Sequence, residues 1–200
     1  VKHKDYHLLE ITSNSVKEMS EGELLQMEKA RKLDITEEIY FNIIRQKTAS
    51  LIASCCASGA ASVSEDADLI EKMRLFGETV GIAFQIRDDL FDYGTDQSIG
   101  KPTGIDIKEK KMTLPLIHAL SNSDRSDKRF IINTIKNHNT DEKRVAKVIE
   151  MVRSNGGIDY TTQRMNEYRD KALEMLTEFP ENPARNSLKE LVNFVIDRTK

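Results

Sequence analysis

The residues best suited to chemistry lie together in one segment, Phe84–Tyr93, whose sequence is FQIRDDLFDY. If this segment is helical, Asp88 and Asp92 lie one turn apart on the same face, with Gln85 one turn before Asp88. Like charges at this spacing repel each other mildly, and a cation between them removes that penalty. Mg²⁺ usually takes one or two carboxylates and fills its remaining positions with water and phosphate oxygens. The pattern therefore predicts a Mg²⁺ site open to a diphosphate, with a solvated acidic helix end as the alternative.

Basic residues occur at positions that could answer such an anion. Lys101 and Lys111 flank a polar stretch directly after the acidic turn, and Lys47-Thr48 lies on the preceding predicted helix. Each lysine alone is typical of an ordinary surface residue. Lysines that bind a diphosphate, together with carboxylates that hold its Mg²⁺, would form a coherent electrostatic site.

Hydrophobic spacing predicts that helices position these residues. Apolar residues at helical intervals, few Gly and Pro, and the lack of any strand pattern favour one all-α domain over residues 1–200. A polar loop is predicted over 94–113, and loops of this length inside compact domains are usually functional or disordered. Gly77 and Gly81 lie four apart in the predicted helix, so close packing or binding against its backbone is expected. The predicted helices are one before Asp34, then 37–62, 64–93, 114–120, 126–138, 140–156, 158–178 and 182 onward.

Composition excludes several classes of protein. With 30 Lys and Arg against 33 Asp and Glu, the net charge is −3, which gives no sign of nucleic-acid binding. No apolar run is long enough to span a bilayer, and the amino-terminal residues do not resemble a signal peptide. Cys55 and Cys56 are adjacent among small residues, as expected of core-lining thiols in a reducing cytoplasm. We therefore expect a cytoplasmic globular protein.

The acidic segment resembles the second aspartate-rich motif of the trans-isoprenyl diphosphate synthases. Lys47-Thr48-Ala49 resembles their Lys-Thr element, and 100–106 (GKPTGID) and 111–115 (KMTLP) resemble their lysine-bearing loop and the helix start that follows. The elements occur in family order, and the resemblance covers essentially the whole chain. It is strongest to polyprenyl synthases of the octaprenyl type from Bacteroides-like bacteria, and it implies the isoprenoid-synthase helical bundle.

This resemblance implies roles for individual residues. Asp88 would ligate Mg²⁺ directly, with Asp89 and Asp92 ligating it or orienting its waters. Glu23 and Gln26 fall where short-chain members carry Gln and Asp, which implies a pocket role for both. The residues implied to act on the substrates are Lys47, Thr48, Lys101 and Lys111 for the allylic diphosphate, with Gln85 and Phe84 beside the allylic chain.

The family also carries a first aspartate-rich motif and further basic residues that precede this stretch. Neither occurs in these 200 residues. We therefore expect the sequence to be the carboxyl-terminal portion of a polyprenyl synthetase domain, inactive on its own. The full protein is expected to be homodimeric.

The implied reaction is condensation of an allylic diphosphate with isopentenyl diphosphate, with Mg²⁺ as cofactor. Three alternatives stay open, one of them a plain helical interaction domain whose motifs are coincidental. A non-catalytic partner subunit of a heteromeric synthase would explain the absent first motif. A terpene cyclase would share the fold, but its second metal motif usually has an Asn/Ser/Glu pattern. Product length and allylic substrate preference are not predicted by these residues.

Overall fold

A computed structural model describes residues 5–94 and 103–198, and these are helical with short connections. In chain order the α-helices are α1 (Tyr6–Lys32), α2 (Glu37–Ile44), α3 (Ser50–Ala61), α4 (Ala67–Phe91), α5 (Ile105–Lys108), α6 (Leu114–Asn122), α7 (Arg125–Asn137), α8 (Glu142–Ser154), α9 (Gly157–Met175) and α10 (Pro183–Asp197). A π-helical turn, Arg45–Ala49, joins α2 to α3, and a 3₁₀ turn, Leu176–Glu178, follows α9. The predicted all-α class is confirmed.

Side-chain caps define where several helices begin. Asp66 accepts hydrogen bonds from the backbone N–H groups of Asp68 and Leu69 at the start of α4. Asp141 accepts hydrogen bonds from the backbone N–H groups of Lys143 and Arg144 before α8. Such side chains satisfy N–H groups that lack intrahelical partners. Most predicted helices are thus present, with ends shifted by a few residues. The π turn interrupts the helix predicted over 37–62, and α5 lies within the loop predicted over 94–113.

The chain divides into two compact units, and α1, α2, α4 and α9 each contribute to both. Unit 1 takes the described residues up to Gln26, together with Phe41–Gln85 and Met165–Arg198. Unit 2 takes Met27–Tyr40 and the described residues of Ile86–Arg164.

Each unit has its own apolar core. In unit 1 the buried cluster consists of Phe76, Val80, Ala172, Leu176 and Val192. In unit 2, α6, α7 and α8 pack against one another. The largest fully buried side chains of unit 2 are Ile86, Ile107, Leu114, Leu116, Ile131, Thr134, Ile135, Val148, Val152 and Thr161. Burial of each large aliphatic side chain contributes about 1.5–3 kcal/mol, so these clusters hold the helices that carry the candidate site.

In unit 1, the close packing predicted at the glycines of α4 is confirmed, and the prediction for one cysteine is wrong. A Cβ on Gly77 would lie 2.7 Å from the Ile52 carbonyl oxygen, and one on Gly81 would lie 2.6 Å from the Ala49 Cα. These glycines therefore let α4 approach α3 and the end of the π turn. Cys56 is half-buried, whereas Cys55 is exposed and is not a core residue.

Each helix in the described ranges is too short or too polar to cross a bilayer.

Candidate functional site

Three carboxylates lie at or just after the end of α4, and they differ in solvent exposure. Asp88 is half-buried, whereas Asp89 is 6% and Asp92 9% exposed. A ligand of Mg²⁺ that also serves waters and phosphate must keep an oxygen accessible. Asp88 is thus the most accessible carboxylate of the predicted motif.

Asp89 is held by a buried tyrosine that the sequence analysis did not single out. The Tyr40 hydroxyl of α2 donates a 2.7 Å hydrogen bond to Asp89 Oδ2. Burial, and then the negative charge of Asp89, raise the pKa of Tyr40 well above its ordinary value. Tyr40 therefore stays a protonated donor. The available signal was a tyrosine at an apolar helical position, where a buried hydroxyl needs a partner.

Asp92 connects the acidic turn to the segment that follows it. Its Oδ1 accepts the Ile105 N–H at 2.8 Å and its Oδ2 the Asp106 N–H at 3.1 Å. Burial, followed by the charge of Asp106, raises the pKa of Asp92 to about 6, although backbone N–H donors oppose the shift. Gly104 adopts φ 78°, and its Cβ would lie 2.6 Å from Val145 Cγ1, so this turn requires glycine. Asp92 thus caps the start of α5.

Lys111 lies directly after this short helix. Its Nζ is 2.5 Å from Glu109 Oε2 and 3.4 Å from Asp106 Oδ1. Burial lowers the pKa of Lys111, but its hydrogen bonds and the charges of Glu109 and Asp106 outweigh burial, and the pKa is raised. Lys111 is therefore a cation held beside Asp106, in the first turn of α5. The predicted Lys101 lies outside the described residues.

In unit 1, Lys47 contacts two other predicted site residues. Its Nζ lies 2.5 Å from Glu23 Oε2 and donates a 2.6 Å hydrogen bond to Gln26 Oε1. Gly22 permits this contact, because a Cβ there would lie 2.7 Å from the Lys47 backbone nitrogen. The Gly22–Gln26 segment of α1 thus positions Lys47.

Thr48 and Gln85 also meet within unit 1. The Thr48 hydroxyl donates a 2.9 Å hydrogen bond to Gln85 Oε1. Both Lys47 and Thr48 belong to the π-helical turn, a type of irregularity that is frequent at functional sites. Phe84 is half-buried, with the Arg198 guanidinium 4.1 Å from its ring centroid. A cation–π contact therefore covers part of this ring.

The carboxylates of the acidic turn suit Mg²⁺, because the atoms that would ligate it are oxygens. Asp89 and Asp92 already accept hydrogen bonds from protein groups. No three His, Cys, Asp or Glu side chains converge as a ligand set within 5–94 and 103–198. A site with one or two protein carboxylates, completed by water and phosphate oxygens, therefore fits better than an all-protein cage.

Comparison with known proteins gives a consistent result. The polyprenyl synthetase family model matches residues 1–152. Among curated proteins, the all-trans-nonaprenyl-diphosphate synthase (geranyl-diphosphate specific) of Rhodobacter capsulatus is 36% identical, over 96% of this chain and 58% of the relative. Heptaprenyl diphosphate synthase component 2 of Geobacillus stearothermophilus is 33% identical, over 93% of this chain and 57% of the relative. The chain thus spans less than two thirds of these relatives.

The fold agrees with a solved structure. A polyprenyl synthase from Caulobacter crescentus CB15, complexed with calcium and isoprenyl diphosphate, matches with a TM-score of 0.92 and 33% identity. The match covers 100% of this chain and 61% of that one. The predicted isoprenoid-synthase fold is confirmed, and the chain belongs to the polyprenyl synthetase family.

Proposed function

We propose that this chain belongs to a trans-prenyltransferase that condenses an allylic diphosphate with isopentenyl diphosphate to form polyprenyl diphosphates. Family membership and the synthase names of the relatives support the reaction class. In this reaction the allylic carbon–oxygen bond breaks and diphosphate leaves with the electron pair. The double bond of isopentenyl diphosphate then attacks the allylic cation, and loss of a proton completes the new carbon chain.

The observation that carries the proposal is the arrangement at the end of α4. Asp92 caps α5, and Asp106 of α5 contacts Lys111. One connected set of contacts therefore holds carboxylates and a lysine in unit 2. Carboxylates for a Mg²⁺–diphosphate and a cation for its oxygens are what departure of a diphosphate requires.

We assign roles on this basis. Asp88, with Asp89 and Asp92 in support, would hold Mg²⁺, which neutralises charge on the leaving diphosphate when bound. Glu23 and Gln26 would orient Lys47. Phe84 and Gln85 would lie beside the allylic chain, where an apolar surface protects the cation from water. The residues proposed to bind the allylic diphosphate are Lys47, Thr48, Lys101 and Lys111.

The test is an elongation assay on the full-length gene product. Radiolabelled isopentenyl diphosphate, an allylic diphosphate and Mg²⁺ should give chain-elongated products. Asp88→Asn should lower kcat by about 100-fold or more, because it weakens neutralisation of the leaving group. Lys143→Gln, at an exposed position of α8, should leave the rate unchanged. Equal rates for wild type and Asp88→Asn would refute the assignment.

A second candidate is a subunit of a heteromeric synthase. The relative named heptaprenyl diphosphate synthase component 2 supports this possibility. Under this proposal the protein purified by itself makes no product, and product forms only when a second, different chain is added. Activity of the homogeneous protein alone would exclude it.

Finer features stay predictions. Relatives of similar identity are named for nonaprenyl and heptaprenyl products and come from Rhodobacter and Geobacillus. An octaprenyl product and a Bacteroides-like source therefore stay predictions from the sequence. A homodimeric assembly and a cytoplasmic location, as expected from the sequence, complete the proposal. Gel filtration with light scattering tests the assembly.

A further inference from the structure

A second concave site lies in unit 2 and shares no residue with the candidate site. It is a pocket of about 630 Å³ between the segment after α1 and the helices α6, α7 and α9. Small-molecule sites in proteins typically enclose roughly 300–1,000 Å³. Met112 lines the pocket and directly follows Lys111 in the chain.

Much of the lining is apolar. Leu33 adopts φ 54°, a left-handed conformation that is uncommon for residues other than glycine. This turn ends α1 at a residue that lines the pocket. The apolar lining consists of Leu33, Ile35, Met112, Ile117, Leu120 and Ile132. Such a surface favours a ligand with a hydrocarbon body.

Glu37, the acidic residue of the lining, already has hydrogen-bond and ion-pair partners within the protein. The Tyr160 hydroxyl lies 2.7 and 2.8 Å from the two Glu37 carboxylate oxygens, and Arg164 Nε lies 3.7 Å from one of them. His118 stacks on Tyr160 with ring centroids 4.0 Å apart, and Asn122 Nδ2 lies 2.8 Å from His118 Nε2. These polar groups bind one another, so Glu37 does not make the pocket strongly negative.

Lys128 gives the lining its remaining positive charge. Its Nζ has a long contact of 3.5 Å with the Ser121 carbonyl oxygen. Within the described part of the chain, no carboxylate lies at ion-pair distance from Lys128, and Asp124, one turn earlier, accepts the Asp127 N–H as the cap of α7. The ammonium group can therefore pair with an anion from outside.

We propose that this pocket binds a small amphiphilic anion, with its hydrocarbon body against the apolar lining and its single anionic head group at Lys128. One cation matches one negative charge, which favours a carboxylate-type amphiphile over a diphosphate. The site is separate from the proposed diphosphate site, and it does not depend on the proposed function.

Titration of [methyl-¹³C]methionine-labelled protein with dodecanoate, below its micelle concentration, tests the proposal. The Met112 methyl resonance, assigned with Met112→Leu, should shift and saturate. Met27, which is 50% exposed, reports non-specific binding and should not shift. Lys128→Gln should weaken binding by about fivefold, as expected for loss of one exposed ion pair. The uncharged homologue dodecan-1-ol should bind wild type and Lys128→Gln equally.

Two controls keep the outcome decisive. Lys143→Gln removes another exposed cation and should bind dodecanoate like wild type. Ser121→Trp places a bulky ring at an exposed position of the lining and should abolish the Met112 shift. The proposal is overturned if Met112 does not respond, if Met27 responds equally, if Lys128→Gln binds like wild type, or if the shift persists in Ser121→Trp.

Discussion

The Tyr40–Asp89 hydrogen bond is a buried contact between a neutral donor and a carboxylate. Tyr40→Phe removes the donor and leaves Asp89 with one fewer partner. A hydrogen bond to a charged group contributes about 1.5–3 kcal/mol, so we expect the free energy of unfolding to fall by about that amount. Urea denaturation monitored by circular dichroism measures the change.

The matched control is Tyr6→Phe, which removes the same hydroxyl from a side chain that is 69% exposed. Substitutions at such positions usually change stability by less than about 0.5 kcal/mol. Equal effects of the two variants would show that the Asp89 contact does not stabilise the fold.

The two adjacent cysteines should differ in reactivity. Burial raises the pKa of the Cys56 thiol to about 11, whereas Cys55 is exposed. A raised thiol pKa lowers the thiolate fraction, so at pH 8 only about 1 in 1,000 Cys56 thiols is ionised. We expect iodoacetamide to alkylate Cys55 and spare Cys56, and the rate at Cys56 to rise with pH up to about 11.

Tandem mass spectrometry locates the label on the shared peptide. Cys55→Ser should remove most alkylation at pH 8, and Cys56→Ser should leave it nearly unchanged. Preferential labelling of Cys56 would contradict the assigned burial.

At the scale of elements, Gly81 sets the approach of α4 to the end of the π turn. Its Cβ would lie 2.6 Å from the Ala49 Cα and 2.8 Å from the Ala49 Cβ. Alanine favours a helix by about 1 kcal/mol over glycine. Because these neighbours are backbone or rigid atoms, overpacking outweighs that gain. We expect Gly81→Ala to destabilise the protein by about 1–3 kcal/mol in urea denaturation.

Gly59 offers the opposite case within α3. Apart from its chain neighbours and the backbone of its own helix, no atom of the described residues lies within 4 Å of a Cβ built there. Gly59→Ala should therefore stabilise the protein by about 0.4–1 kcal/mol, through helix propensity and a less flexible unfolded chain. A Gly81→Ala variant as stable as Gly59→Ala would show that α4 can shift away from Ala49 without cost.

The π turn shows why the helix predicted over 37–62 was incomplete. Arg45–Ala49 inserts a wider turn between α2 and α3 while all its residues stay helical. Hydrophobic spacing is too coarse to reveal such an insertion. The contact of Gly22 with the Lys47 backbone is likewise made by a distant segment, α1. The Lys-Thr pair was thus visible in the sequence, and its local geometry was not.

For the whole molecule, the proposed function predicts ligand-dependent stability. A ligand that binds only the folded state at 100 times its Kd adds about 2.7 kcal/mol. For a chain of this size that corresponds to a rise in Tm of roughly 5–10 °C. We expect inorganic diphosphate together with Mg²⁺ to raise the Tm measured by differential scanning fluorimetry, and EDTA to reverse the rise.

Asp88→Asn should abolish this rise, because it removes the most accessible carboxylate of the acidic turn. Asp170→Asn, at an exposed residue whose nearby cation is Arg169, should retain it. A rise that survives in Asp88→Asn would place the diphosphate elsewhere on the molecule.

The sequence by itself determined the helical class, the acidic turn with its neighbouring lysines, and through them the family. These features depend on short spacings: Asp88 and Asp92 lie four residues apart, and apolar residues recur at helical intervals. Local periodicity is a property of the chain, so the sequence displays it directly.

Only the tertiary structure decided which distant groups hold the site residues. Tyr40 and Asp89 are 49 residues apart, Lys47 and Gln26 are 21 apart, and Thr48 and Gln85 are 37 apart. It also showed which backbone the glycines of α4 approach, and it gave Asp92 its contact at the start of α5. Such contacts arise when burial of apolar faces brings separate helices together. No short-range pattern encodes which polar groups then become neighbours.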